Sequence, residues 1–215
     1  MAQPSNAFVA ASASSTGQVG TGGAWLDLHF EASRPEYEAQ LRAVGIRPGW
    51  HVLDAACGSG SFLPLLAELV GPGGRLTALD LAPDNIDLVE RRLADWHLPC
   101  PVESRVGNVL ALPFPDDTFD AVWFANTSAY LSDAELQTAL AELRRVTRPG
   151  GLVAVKEIDT TLTRLLPAPP GLMSRQNQAC ASAGYVNATG QLRAPSLPAW
   201  LRRAGLVDVW RRSTL

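Results

Sequence analysis

Apolar residues fall along the chain in short continuous runs, separated by longer stretches in which they recur at helical spacing. Runs of this kind read as buried strands, and the spaced stretches between them as amphipathic helices. The first run, Val52-Leu53, closes on Asp54 and is followed after a glycine turn by Phe62, Leu63, Leu65, Leu66, Leu69 and Val70 at mostly helical intervals. A second run, Leu76-Thr77-Ala78-Leu79, ends in Asp80 and precedes a helix over 83–96 with Ile86, Val89, Leu93 and Trp96 on its inner face. Residues 102–106 form a third, mixed strand. Ala121-Val122-Trp123-Phe124 form a fourth, followed by Leu136, Leu140, Leu143 and Val146 as a helical stripe. Leu152-Val153-Ala154-Val155 give a fifth strand, a last helix runs from Ser196 to Gly205, and residues 206–210 read as a sixth strand. Strands alternating with helices in this way predict an α/β domain, its sheet mostly parallel with helices on both faces.

Turn and cap residues punctuate the pattern. Arg47-Pro48-Gly49-Trp50 leads into the first strand, and Gly71-Pro72-Gly73-Gly74 separates the first helix from the second strand. Ser132-Asp133-Ala134-Glu135 has the spacing of a capping box. Ser33-Arg34-Pro35-Glu36 reads as another helix start, with Tyr37, Leu41 and Val44 as its apolar stripe. Residues 25–30 mix apolar and polar positions without a clear period. Residues 1–23, rich in Ala, Ser, Gly and Thr, read as a flexible tail, with a lid that orders over bound ligand as the alternative. Periodicity is weak from 159 to 195, where Pro167, Pro169, Pro170 and Gly171 mark a loop. The organisation expected is thus one domain over 24–215 with an insertion at 159–195.

Composition narrows the function. At 215 residues the chain can bury a substantial core. Its net charge of -3 offers no basic footprint for a nucleic-acid backbone. No apolar run approaches the ~20 residues of a membrane span, and the N-terminus lacks the basic start and apolar block of a secretory signal. Three cysteines without a C-x-x-C pair suit reduced thiols and a cytoplasmic location. The high Ala, Arg, Gly and Pro usage fits a GC-rich bacterial source. Nothing has metal-ligand spacing, since the histidines are far apart and the cysteines unclustered.

Asp54-Ala55-Ala56-Cys57-Gly58-Ser59-Gly60 carries the chemistry. A strand, a glycine loop and a helix in succession bind a nucleoside-containing ligand over the helix N-terminus. The third glycine of a dinucleotide fingerprint is missing, because Ser61, Phe62 and Leu63 follow Gly60. A carboxylate at Asp54 is unwelcome beside a pyrophosphate and welcome beside a cationic amino acid. Asp80 lies 20 residues beyond Gly60, at the edge of the neighbouring strand, where two carboxylate oxygens suit the two hydroxyls of a ribose.

The stretch from Asp54 to Gly60 resembles motif I of the class I S-adenosylmethionine-dependent methyltransferases. The likeness is nearest to the small-molecule branch that includes the ubiquinone and menaquinone methyltransferases. Leu112-Pro113-Phe114-Pro115-Asp116-Asp117-Thr118-Phe119-Asp120 and Arg148-Pro149-Gly150-Gly151 are further features of that branch. The resemblance implies a Rossmann-like, doubly wound fold, S-adenosylmethionine as the cofactor and a small-molecule acceptor, with secondary metabolism preferred. It implies cofactor contacts from Asp54, Ala56, Gly58, Ser59, Gly60, Asp80, Leu81, Asn108, Val109 and Asn126, and from Tyr37 and Arg34 on a helix across the methionine end; His29 is a weaker candidate there. At Asn108 related chains often carry Asp; the Asn oxygen can still accept from the adenine amino group.

The positions after the fourth and fifth strands point to the acceptor, because ligands sit outside strand C-termini in such sheets. Glu157, Asp159 and Tyr130 are the candidates to bind or deprotonate it. Arg175, Gln176, Asn177 and Tyr185 are candidate pocket residues from the insertion. Related enzymes add an antiparallel strand after the sixth. No residues remain for it before Leu215, so a fragment or an exposed sheet edge, able to support an oligomer, is expected. The competing reading is a domain that binds the cofactor without transferring methyl.

Overall fold

A computed structural model describes residues 14–16, 21–159, 167, 169–182 and 192–213. Five strands are present among them: β1 (His51–Ala55), β2 (Arg75–Asp80), β3 (Val102–Val106), β4 (Phe119–Ala125) and β5 (Thr147–Lys156). They are ordered β3-β2-β1-β4-β5 and every neighbouring pair is parallel. The helices are α1 (Gly23–Ala32), α2 (Arg34–Arg42), α3 (Leu63–Val70), α4 (Pro83–Asp95), α5 (Asp133–Val146), α6 (Leu172–Ser182) and α7 (Leu197–Arg203). This is the doubly wound order, in which the connections leave β1 and β4 in opposite directions and open a crevice between their C-termini.

Strand alternation builds two cores, one on each face of the sheet. Val52, Leu76, Ala78, Ala121 and Trp123 face Leu41, Leu63, Leu66, Ile86 and Val89 of α2, α3 and α4. Leu53, Ala55, Leu79, Val122 and Phe124 face Leu136, Leu140, Leu143 and Val146 of α5 and Leu197 of α7. The capping box forms as expected, with Glu135 N–H donating to Ser132 Oγ and Ser132 N–H to the Glu135 carboxylate.

Four expectations change. Residues 25–30 lie in a helix, α1, whose weak apolar period is overridden by packing: Phe30 sits edge-on to Phe62 at 5.0 Å. Ser33 does not cap α2 with its side chain, because it is a single-residue break between two helices and its N–H still bonds back to Phe30. The turn expected at 148–151 lies within β5: Phe119 opposes Thr147 and Ala121 already opposes Leu152, so these residues bulge out of the ladder. Residues 206–210 form no strand; Val207 and Trp210 are exposed beside the free edge of β5. Asp208 takes a left-handed φ of 52°, which breaks the extended run at its centre.

Part of the expected tail is also placed. Ser15 donates from its N–H and its hydroxyl to Asp84 at the start of α4, and Asn85 Nδ2 donates to Thr21 O.

Candidate active site

The turn after β1 is wound tightly. Ala56, Gly58 and Gly60 all have positive φ, at 60°, 54° and 77°, and Gly60 N–H donates to Cys57 O at 2.9 Å. A β-carbon on Gly58 would stand 2.6 Å from Leu26 of α1, so α1 lies directly on the loop. A β-carbon on Gly60 would meet Leu63 and Val89 at 2.9 Å. Gly60 is therefore required for packing α3 against α4, and it does not line the cavity.

That cavity, of about 730 Å³, opens at the C-terminal ends of β1, β2 and β4, within the size range of small-molecule sites. Asp54, Ala56, Gly58, Ser59, Asp80, Leu81, Asn108, Val109, Asn126 and Tyr37 all line it. The structure thus brings together residues that are far apart in sequence. Ser14, Thr16 and Thr21 also contribute, so the described part of the N-terminal segment borders the site.

Two carboxylates sit at its floor. Asp80 accepts from Gly58 N–H at 2.8 Å with one oxygen, and from Ala82 N–H at 2.9 Å and Asn85 Nδ2 at 3.2 Å with the other. Burial still pushes its pKa up against these hydrogen bonds. Asp54 is fully buried, and its Oδ2 has no hydrogen-bond partner. Burial, reinforced by the charge of Asp80, drives its pKa to about 8. A buried carboxylate held this way is relieved by a cation bearing N–H donors.

The rest of the cavity suits a nucleoside. Leu81 leaves its side chain exposed toward it, an apolar surface for a base. Asn108 differs from expectation in one respect: its Oδ1 accepts from Leu110 N–H at 2.9 Å, so the oxygen assigned to adenine already serves its own turn. The residues present fit S-adenosylmethionine: Asp54 would take the amino group, Asp80 the ribose and Leu81 the adenine face.

Arg34 is outside the site. It is exposed, ion-paired to Glu31 and, at 3.7 Å, to Glu38, because the turn at Ser33 directs it outward. Tyr37 does face the cavity. Its ring lies 5.7 Å from Phe62, and burial raises its pKa to about 12. His29 joins it, with Nδ1 3.4 Å from the Tyr37 hydroxyl.

Of the three candidates for the acceptor, Glu157 and Tyr130 line the cavity. Glu157 is held by Ser128 Oγ–H at 2.7 Å, Ala129 N–H at 3.2 Å and Ile158 N–H at 3.0 Å. Asp159 lies along a separate groove beside β5 and meets Arg211 at 3.4 Å. Arg175 and Gln176 are exposed on α6, away from the cavity lining. The Asn177 side chain and Tyr185 fall outside the described residues. No group of three or more His, Cys, Asp or Glu among the described residues is placed to hold a metal.

Sequence reasoning set Lys156 at the end of the fifth strand and Arg92 on a solvated helix face, and gave neither a role in the site. Lys156, at the end of β5, is buried with Nζ 3.5 Å from the centroid of the Tyr37 ring and donates to Asn126 Oδ1. Burial lowers its pKa to about 7, against the opposing charge of Glu157. Arg92 of α4 donates to Ser59 O at 2.7 Å and to Asp27 of α1 at 3.0 Å, fastening α1 over the glycine loop. A lysine closing a strand and an arginine on an exposed-looking helix face carry no local signal of these partners.

Comparison with known proteins agrees with this geometry. Residues 52–151 match the family described as a methyltransferase domain. A demethylmenaquinone methyltransferase of Symbiobacterium thermophilum is 33% identical over 149 residues, covering 69% of this chain and 55% of that protein. These matches support a class I S-adenosylmethionine-dependent methyltransferase domain.

A malonyl-[acyl-carrier protein] O-methyltransferase of Serratia marcescens is 41% identical over 106 residues, covering 49% of this chain and 37% of that one. Among solved structures, a SAM-dependent methyltransferase from Aquifex aeolicus superposes with a TM-score of 0.54 at 25% identity, over 68% of this chain and 77% of that one. The chain spans about half the length, or less, of the curated relatives it matches. The sheet is the Rossmann-like one of such neighbours, and the same matches imply S-adenosylmethionine as the cofactor. No helix among the described residues is long and apolar enough to cross a membrane.

Proposed function

We propose that this chain transfers the methyl group of S-adenosylmethionine to a small-molecule acceptor by in-line displacement. The observation that carries the reading is the Asp54 carboxylate, buried without a partner for Oδ2 at the floor of a nucleoside-sized cavity. The bound donor supplies a methyl group on a sulfonium, so the protein's task is mainly alignment and exclusion of water. The negative net charge favours a small molecule over a nucleic acid. The relatives named above act on a quinone precursor and a carrier-bound malonyl group, and we extend from them to an acceptor of secondary metabolism in the bacterial cytoplasm. That Glu157 and Tyr130 line the cavity supports giving them the acceptor contact; Asp159, on the other groove, is the weakest of the three. The free edge of β5 is where a second copy would associate.

Calorimetric titration of S-adenosylmethionine into the protein, followed by mass spectrometry across a broad acceptor panel, tests the reading. Binding together with a product heavier by one CH₂ is the expected result. Binding without product across the panel would favour a domain that holds the donor without transferring its methyl. No binding would overturn the assignment.

A further inference from the structure

Resting on that reading, we propose that His29 is the proton acceptor for a neutral aromatic or enolic hydroxyl, oriented by Tyr37 and with its proton balance set by Lys156.

The charge of the cavity selects the acceptor. Its described charged lining is acidic (Asp54, Asp80, Glu135 and Glu157), with no Lys or Arg among it. Asp54 and Asp80 are assigned to the donor, so Glu135 and Glu157 are the charges left toward the acceptor, and no lining Lys or Arg recognises an anionic one. Trp25, Phe30, Tyr130, Leu131 and Ile158 give the same space apolar and aromatic walls. Such a site takes a neutral, flat, largely apolar molecule. A neutral hydroxyl on that molecule is a weak nucleophile and has to surrender its proton as the new bond forms.

The carboxylates are poorly placed to take it. Three donors occupy Glu157, and Asp159 faces the other groove. His29 lines the cavity itself. Its ring stacks on Trp25 with centroids 6.4 Å apart. Its Nδ1 faces the Tyr37 oxygen. The Tyr37 oxygen also meets the Asn126 and Ser33 side chains. The proposed base is the tautomer in which Nδ1–H donates to the Tyr37 oxygen and Nε2 keeps its lone pair.

The titratable and charged groups around this pair are Tyr37 from α2, and Lys156 and Glu157 from the end of β5. Burial and then the nearby Lys156 ammonium both lower the His29 pKa, which keeps the imidazole neutral near pH 7. In the reaction the O–H bond of the acceptor breaks and its electron pair forms the new O–C bond. The proton moves to His29 Nε2 and leaves to solvent, while the pair of the broken C–S bond stays on sulfur.

Two readouts test this, in the protein with S-adenosylhomocysteine or S-adenosylmethionine added. The first is the imidazole NMR titration of His29 in the wild type and in Lys156→Met. The expected midpoint lies below the ordinary histidine value and rises in the variant, where a nearby positive charge is gone; an unmoved midpoint would overturn the role given to Lys156. The second is methyl transfer to two probe phenols at pH 8, one already ionised (4-nitrophenol) and one not (4-methylphenol). His29→Gln is expected to slow the second by about 10²–10⁴-fold and the first much less, and to remove the acidic limb of the rate profile. Equal losses with both phenols would mark His29 as merely structural. A wild type that binds the donor but methylates neither phenol, or methylates only amines in a wider panel, would overturn the proposal and leave the methyltransferase reading intact. A wild type that binds no donor would overturn both.

Discussion

The carboxylate of Asp80, at the end of β2, accepts the backbone N–H of Gly58 at 2.8 Å, so one side chain both closes the glycine turn of the neighbouring strand and presents itself to the ligand. The residue that reads as a ribose contact is equally a structural staple. Asp80→Ala removes the acceptor for Gly58, Ala82 and Asn85, and each buried donor left unsatisfied costs about 1–3 kcal/mol. Donor affinity and thermal midpoint should therefore fall together. Asp80→Asn keeps one acceptor oxygen and should recover part of the midpoint while remaining at least about tenfold weaker in binding, a loss of about 1.4 kcal/mol. Calorimetry paired with thermal unfolding checks both; an Asp80→Ala variant that loses binding at full stability would refute the double role.

Asp54 predicts a proton release. In the ligand-free fold burial and then Asp80 hold its pKa at about 8, against 3.8 for the ordinary carboxyl. The folded state thus carries the extra proton between these values. Stability should fall as pH rises from 3.8 to about 8, and change no further from this group above that. Asp54→Asn should flatten that slope. An ammonium bound beside Asp54 favours the carboxylate, so donor binding at pH 7 should expel protons in the wild type and not in Asp54→Asn. Titration in buffers of different ionisation enthalpy measures it, and buffer-independent heats in the wild type would contradict the placement of the amino group.

The Asp27–Arg92 pair holds α1 on the loop. Burial raises the pKa of Asp27, but the hydrogen bond from Arg92 and those from Ser59 and Ser61 more than offset it. The pair is only partly buried, so Arg92→Ala should cost global stability about 1 kcal/mol. Its effect should be local: faster hydrogen exchange in α1 and faster donor dissociation, with β1 and β2 protected as before. Uniformly faster exchange across the sheet would show that the pair is not a local latch.

Arg193 ties the segment before α7 to the loop after β4. It is buried and donates to Leu131 O at 2.9 Å and Asp133 at 2.7 Å, and also to Ser128 O. Because the loop after β4 lines the cavity, Arg193→Met should destabilise by about 1.5–3 kcal/mol and weaken acceptor turnover more than donor binding. Arg193→Lys keeps the charge without the planar fork and should rescue less than half. Urea unfolding and steady-state rates distinguish this from a surface role, for which both variants would be silent.

Sequence alone determined the alternation of strands and helices as far as β5, the parallel sheet, and which residues gather at the strand C-termini. Those features are local: an apolar run closing on Asp54, a glycine turn, Asp80 one strand on, and the box at Ser132 are each written within a few residues. Tertiary structure decided what no window could contain. Helix α1 forms because Leu26 and Phe30 find the glycine loop and Phe62, not because residues 25–30 have a helical period. Residues 206–210 are apolar enough for a strand but turn at Asp208, whose φ is 52°. Arg34 has the right spacing and the wrong direction. Lys156, Tyr37 and His29 come from three separate elements, and their proton affinities follow from burial and from charges brought close by the fold. A residue's type is fixed by the chain, but its solvation and its neighbours' charges exist only once distant segments have packed.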